Sequence, residues 1–241
     1  MTKGGARQID EYRPFCGSRL RAADAGEGAG LLSSLDCYKS GGTLVGMTSG
    51  APSDWYRWIP AQITAAEYED LPADFSRTIE VVDGHIVKCE SPSRLHNRVA
   101  RRLAASLESG RKPEPCLMVE TDVDVRLSDV PLSLRRPDVT VYHCLEDDER
   151  LYAGDAVLVV EIVSPDSSFR TDTVEKKAVY ASAGIPAYLI VYPNESGDGI
   201  SQIEEFRLSD GRYHLVYLHT RRLTMEDPVP VDVSFAELIS G

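Results

Sequence analysis

Two apolar segments that each carry one carboxylate constrain this chain most. Arg136-Pro137-Asp138-Val139-Thr140-Val141 enters a strand-forming run on an aspartate, and Val157 to Val163 is apolar throughout except for Glu161. Short continuous apolar runs rich in β-branched residues read as strands buried in a sheet. A lone carboxylate in such surroundings is costly to bury unless it is paired or metal-bound. Two carboxylates side by side in a sheet suggest a site for a hard divalent cation. Such a cation takes oxygen ligands, typically one or two carboxylates completed by water and substrate phosphate. That is the minimum apparatus for metal-assisted phosphodiester hydrolysis.

The flanking sequence supplies further elements. Thr173 to Ala183 reads as a helix that stops at Gly184, and Ala187 to Tyr192 as a buried strand. Positions i, i+4 and i+8 of a helix share nearly one face, so Asp172, Lys176 and Tyr180 can point together. Asp172 with Glu175 also forms a helix-capping pattern. Tyr180 reads more readily as core. Upstream, a short helix over Ala65 to Leu71 precedes strands at Thr78 to Val82 and His85 to Cys89, joined at Asp83-Gly84, a strong hairpin signal. A helix over Pro92 to Glu108, capped by Ser91 and stopped at Gly110, follows. Leu117 to Leu127 alternates as one strand, Ile203 to Leu208 and Tyr213 to Leu218 flank a second turn at Asp210-Gly211, and Phe235 to Ile239 closes as a short helix. Hairpins around a central sheet with two packed helices give an α/β or α+β architecture.

His96 falls on the apolar face of its helix with Leu95, Val99, Leu103 and Leu107, either as a hydrogen-bonded core histidine or as a site contact. Arg94, Arg98, Arg101 and Arg102 cluster on the opposite side, a solvated basic face or a phosphate-contacting stripe. Arg135 and Arg136, just before Asp138, are candidates for substrate phosphate.

The order of Pro137-Asp138, Glu161-x-Val163-Ser164-Pro165, Asp172-x-x-x-Lys176-x-x-x-Tyr180 and Gly184-Ile185-Pro186-x-Tyr188-Leu189-Ile190-Val191 resembles the Uma family of putative restriction endonucleases, in the PD-(D/E)XK nuclease-like superfamily. Ile63 to Pro72, Ile79 to Gly84 and Ser91-Pro92-Ser93 before His96 are similar to the family's amino-terminal half, so the resemblance spans Trp55 to Leu238. It implies a restriction-endonuclease-like domain, a central mixed sheet flanked by helices with β-hairpins at its edges. It implies DNA as substrate and Mg2+ or Mn2+ as cofactor, held by Asp138 and Glu161, with Glu80 at the metal pocket either completing the metal shell or pairing with an arginine, and His96 and Asp172 as possible supporting residues. The superfamily's lysine two positions after the glutamate is replaced here by Val163, and Lys176 matches the family's helical lysine as its substitute. Pairing of two copies is a further expectation from the superfamily.

Composition pulls the other way. A net charge of -12 argues against gripping nucleic acid through bulk electrostatics, because that binding rests on Lys and Arg neutralising phosphates. The competing reading is a non-catalytic nuclease-fold module for binding or assembly. Hydrolysis of a small phosphorylated substrate suits the charge but has no dedicated motif. Cys16, Cys37, Cys89, Cys116 and Cys144 are scattered without a C-x-x-C pair, which predicts reduced thiols and neither a disulfide framework nor a zinc site. Residues 1–50, rich in Gly, Ser and Ala, read as a disordered extension ahead of a domain over 51–241, or, with Met47 just before the resemblance begins, as sequence upstream of the true translation start. The absence of a run of about 18 apolar residues and of a secretory signal predicts a cytoplasmic protein without a membrane span.

Overall fold

The computed structural model describes residues 62–89, 91–164 and 174–240, together with two short strands, β1 (Cys37–Ser40) and β2 (Thr43–Gly46), which pair antiparallel. The chain divides into two compact units, Met1–Trp58 and Ile59–Gly241. Among the described residues no helix is long and apolar enough to cross a membrane.

The second unit opens with α1 (Ala65–Glu69), capped by Thr64, whose hydroxyl accepts from the Glu67 N–H while the Glu67 carboxylate returns the contact. After α2 (Ala73–Ser76) come β3 (Ile79–Val82) and β4 (His85–Lys88), joined by the expected turn. Asp83 and Gly84 there have φ of 49° and 81°, the left-handed pair that a tight hairpin requires. Helix α3 (Arg94–Gly110) starts two residues later than expected. Ser93, not Ser91, supplies the cap, because its hydroxyl is the one within reach of the His96 N–H. Gly110 ends the helix where a Cβ would run into the Pro230 carbonyl.

The single strand expected over Leu117 to Leu127 is two strands in two sheets. β5 (Leu117–Glu120) and β6 (Val125–Asp129) are separated by a turn in which Asp122 takes a φ of 55°. A strand cannot pass through that conformation. β7 (Leu132–Arg135) pairs with β6 and β3, so a four-stranded sheet runs β4-β3-β7-β6.

The remaining strands are β8 (Val139–His143), β9 (Ala156–Ile162), β10 (Ala187–Pro193), β11 (Ile200–Ser209) and β12 (Arg212–His219). They form a mixed sheet in the order β12-β11-β10-β9-β8-β5, parallel only between β9 and β10. β13 (Arg222–Met225) and β14 (Val231–Ser234) make a separate ribbon that leads into α5 (Phe235–Ile239). Helix α4 (Lys176–Ser182) lies between β9 and β10 in sequence and ends at Gly184, whose φ of 82° suits glycine.

Alternation along β9 distributes its side chains between two cores. Val160 and Ile162 join Leu103, Leu107 and Leu238, from α3 and α5, on one face. Val159 and Val163 join Tyr180 and Tyr188 on the other. Glu161 shares the parity of Val159 and Val163, so it faces α4.

One expectation about cysteine fails. Cys116 and Cys144 form a disulfide, with Cα atoms 5.5 Å apart. They flank β5 and β8, whose register pairs Leu117 with His143 and brings together two residues that are distant in sequence. Cys89 is a free thiol, and burial with the nearby Glu80 charge pushes its pKa up to about 11.

Candidate active site

The antiparallel register Val139↔Val160 sets Asp138, the residue before β8, against Glu161 on β9. Asp138 is fixed from both sides. Its Oδ2 accepts from the Ile162 N–H at 2.6 Å, and its Oδ1 lies 2.8 Å from His96 Nε2 on α3. A carboxylate can only accept, so Nε2 is the protonated nitrogen of that ring. Burial would lower the His96 pKa, but the bond to Asp138 and the charges of Asp138 and Glu161 outweigh it and hold the value above the ordinary one.

Glu161, 5% exposed, receives two donors from α4. Lys176 Nζ donates to Oε2 at 2.8 Å and the Tyr180 hydroxyl to Oε1 at 2.7 Å. Spacing of four residues puts both donors over the same carboxylate. Lys176 Nζ also lies 3.6 Å from Glu80 Oε1. Burial is the largest influence on Glu161 and raises its pKa to about 7. Lys176 opposes the rise, whereas Asp138 and Glu80 add to it.

Glu80 differs. Burial pushes its carboxyl upward, but the Lys176 and Arg135 charges and the bond from the Arg136 N–H prevail and hold it below the ordinary glutamate value. Arg135 donates to Glu80 Oε2 at 2.8 Å and the Arg136 N–H to Oε1 at 3.0 Å. The Arg136 guanidinium is bound to Asp124, at 2.6 Å, and to the carbonyls of Ser76 and Arg77. Both arginines proposed for substrate phosphate thus have internal partners. The same holds on α3, where Arg98 and Arg102 donate to the carbonyls of Ile239 and Glu237. Asp172 lies outside the described residues.

The structure therefore brings together His96, Asp138, Glu161, Lys176, Tyr180, Glu80 and Arg135 from six elements. Sequence reasoning had left Tyr180 to the core. It is fully buried, and its hydroxyl is nevertheless a site contact. Asp122 was missed altogether. Burial and the Asp138 charge raise its pKa, which places a third carboxylate near the pair. Its signal was faint, an acidic residue interrupting the alternation between β5 and β6. A cleft of about 460 Å3 opens beside it, with Glu120, Asp124, Arg136 and Tyr142 among its walls.

The donor chemistry suits a hard cation. Each oxygen of Asp138 and Glu161 accepts one hydrogen bond and has a second lone pair available. Burial first, and then the Asp138 and Glu80 charges, raise the Glu161 pKa against the pull of Lys176, so a bound cation would relieve the ionised carboxylate. Among the described residues no group of three or more His, Cys, Asp or Glu forms a cage for a metal. The arrangement fits a cation completed by water and substrate, and not a closed zinc site.

Residues 65–237 match the family model described as "Uma2: Putative restriction endonuclease". The chain belongs to the Uma2 family. A crystal structure of a putative nuclease of the DUF820 family from Anabaena variabilis superposes with a TM-score of 0.55 at 18% identity, covering 73% of this chain and 97% of that one. At that identity the likeness bears on the fold, and it gives this Uma2 protein a nuclease-type fold. Curated proteins offer no match.

Proposed function

We propose that this Uma2 protein is a divalent-metal-dependent endonuclease that hydrolyses DNA phosphodiester bonds, with Asp138 and Glu161 holding Mg2+ or Mn2+. The observation that carries the reading is the contact of Lys176 Nζ with Glu161 at 2.8 Å, because it puts a cation on one of the two proposed metal ligands although Val163 stands where the superfamily's lysine would be. A bound metal would supply Lewis acidity and a water of lowered pKa. Lys176, held by Glu161 and Glu80, places a positive charge where it can stabilise charge that develops on phosphate oxygens. His96 and Tyr180 hold the two carboxylates in place as positioning residues. Lys176 and Arg135 keep Glu80 ionised, so Glu80 supports Lys176 and, as a charged carboxylate, could complete the metal shell. Asp172, outside the described residues, remains a candidate support.

A second reading has one observation in its favour. The net charge of -12 and the acidic cleft suit a nuclease fold that binds or assembles without cleaving. Incubating the purified chain with Mg2+ or Mn2+ and single-stranded, double-stranded or branched DNA separates the two. Cleavage by the wild type that is lost in Asp138→Ala supports the enzyme, whereas uncleaved DNA in every arm favours the binding module.

A further inference from the structure

We infer that β12 is the surface on which two copies of this chain associate, pairing antiparallel across a two-fold axis and joining their central sheets. β12 is the outermost strand of the six-stranded sheet, with β11 beside it, so among the described residues the main-chain groups along its far side have no sheet partner. Leu215, Val216, Tyr217 and Leu218 are 52%, 50%, 60% and 45% exposed. Tyr217 and Leu218, past the extra residue at Val216, point to opposite faces, so both faces of this strand carry apolar side chains open to water. The other large exposed apolar residues among those described, Val87, Val130, Tyr152 and Val174, fall singly along the sequence and form no such run.

Natural edge strands are ordinarily protected by charge, proline or brevity. β4, an edge of the smaller sheet, is four residues long and carries Lys88. β12 is eight residues long, and Leu215 to Leu218 contains neither charge nor proline. The strand's irregularity, an extra residue at Val216 opposite the Glu205/Phe206 step, is itself apolar and exposed.

Self-complementarity selects a second copy as the occupant. A strand added here must present apolar side chains on both faces to match the run opposite it. Among the described residues, the strand that exposes such a run is β12 itself. Two-fold pairing covers both edges in one event and leaves no free edge for further growth. The inference stands independently of the nuclease reading, since it concerns association alone.

The test is sedimentation or light scattering of the wild type, Val216→Lys, Leu218→Lys and Val87→Lys at micromolar concentration. Hydrogen exchange of the 212–219 amides is followed on dilution alongside. The expected result is a wild-type dimer with amide protection that falls on dilution. Val216→Lys and Leu218→Lys should be monomers with wild-type melting temperatures, and Val87→Lys should remain dimeric. A monomeric wild type, or a dimer that survives both β12 substitutions, overturns the inference. If the β12 variants fail to fold, exchange in the wild type decides, and protection unchanged on dilution overturns it equally.

Discussion

Glu161→Gln should stabilise the metal-free protein at neutral and alkaline pH, because the position is strained by charge in the absence of a cation. An ordinary glutamate value of 4.5 rises in the fold to about 7, through burial first and then the neighbouring carboxylates, against the pull of Lys176. The folded state thus binds this proton more tightly than the unfolded chain. Stability falls as pH climbs from the ordinary glutamate value through 7 and is unaffected below that range. At about 1.4 kcal/mol per tenfold change in proton affinity, the full penalty is ~3 kcal/mol. The shift is already net of the Lys176 attraction, so glutamine, which carries no charge, removes the penalty and gains up to ~3 kcal/mol. Each kcal/mol raises the melting temperature by roughly 2–4 °C for a domain of this size. The assay is thermal melting with a chelator at pH 5 and pH 8. The gain should appear at pH 8 and shrink toward pH 5. A variant less stable than wild type at pH 8, or a difference independent of pH, would refute the electrostatic reasoning.

Lys176→Met should lower DNA cleavage by ~10²-fold or more, the scale of losing one electrostatic stabiliser. Lys177→Met should leave turnover unchanged, because Lys177 lies over the Phe206 ring at 3.4 Å and not on the carboxylates; equal losses in steady-state kinetics would remove Lys176 from its role. A chain beginning at Ile59, the start of the second compact unit, should keep its melting temperature in calorimetry, and a marked drop would show that the first unit contributes to the fold. Glu205 is held below the ordinary glutamate value because His219 and Arg207 outweigh burial. Its stabilisation is therefore present above the ordinary value and lost as pH falls through the lower folded one. Glu205→Gln should flatten the acid limb of the stability profile, and an unchanged profile would count against that pairing.

How legible the molecule was in its sequence depended on the range of each interaction. β8, β9 and β10 were readable because each is a continuous apolar run, and the hairpins because Asp-Gly sits between such runs. Asp210 and Gly211 indeed take φ of 51° and 71°. Lys176 over Glu161 followed from helical spacing together with the family motif. Pairings across long stretches of chain left no local trace. Glu80 with Arg135 and His96 with Asp138 join residues that are far apart in sequence, as does the Cys116–Cys144 bridge. β13 and β14, four residues each, were too short for their alternation to stand out. The split between β5 and β6 turns on the backbone conformation of Asp122, which a non-glycine residue does not announce.

The central claim is that Asp138 and Glu161 jointly hold the metal, and crystals grown or soaked with Mn2+ test it most directly through anomalous diffraction at the manganese edge. The account predicts one strong peak bonded to both carboxylates in the wild type and absent in Asp138→Ala. A peak elsewhere, or none at saturating Mn2+ in crystals where both carboxylates are ordered, would contradict it.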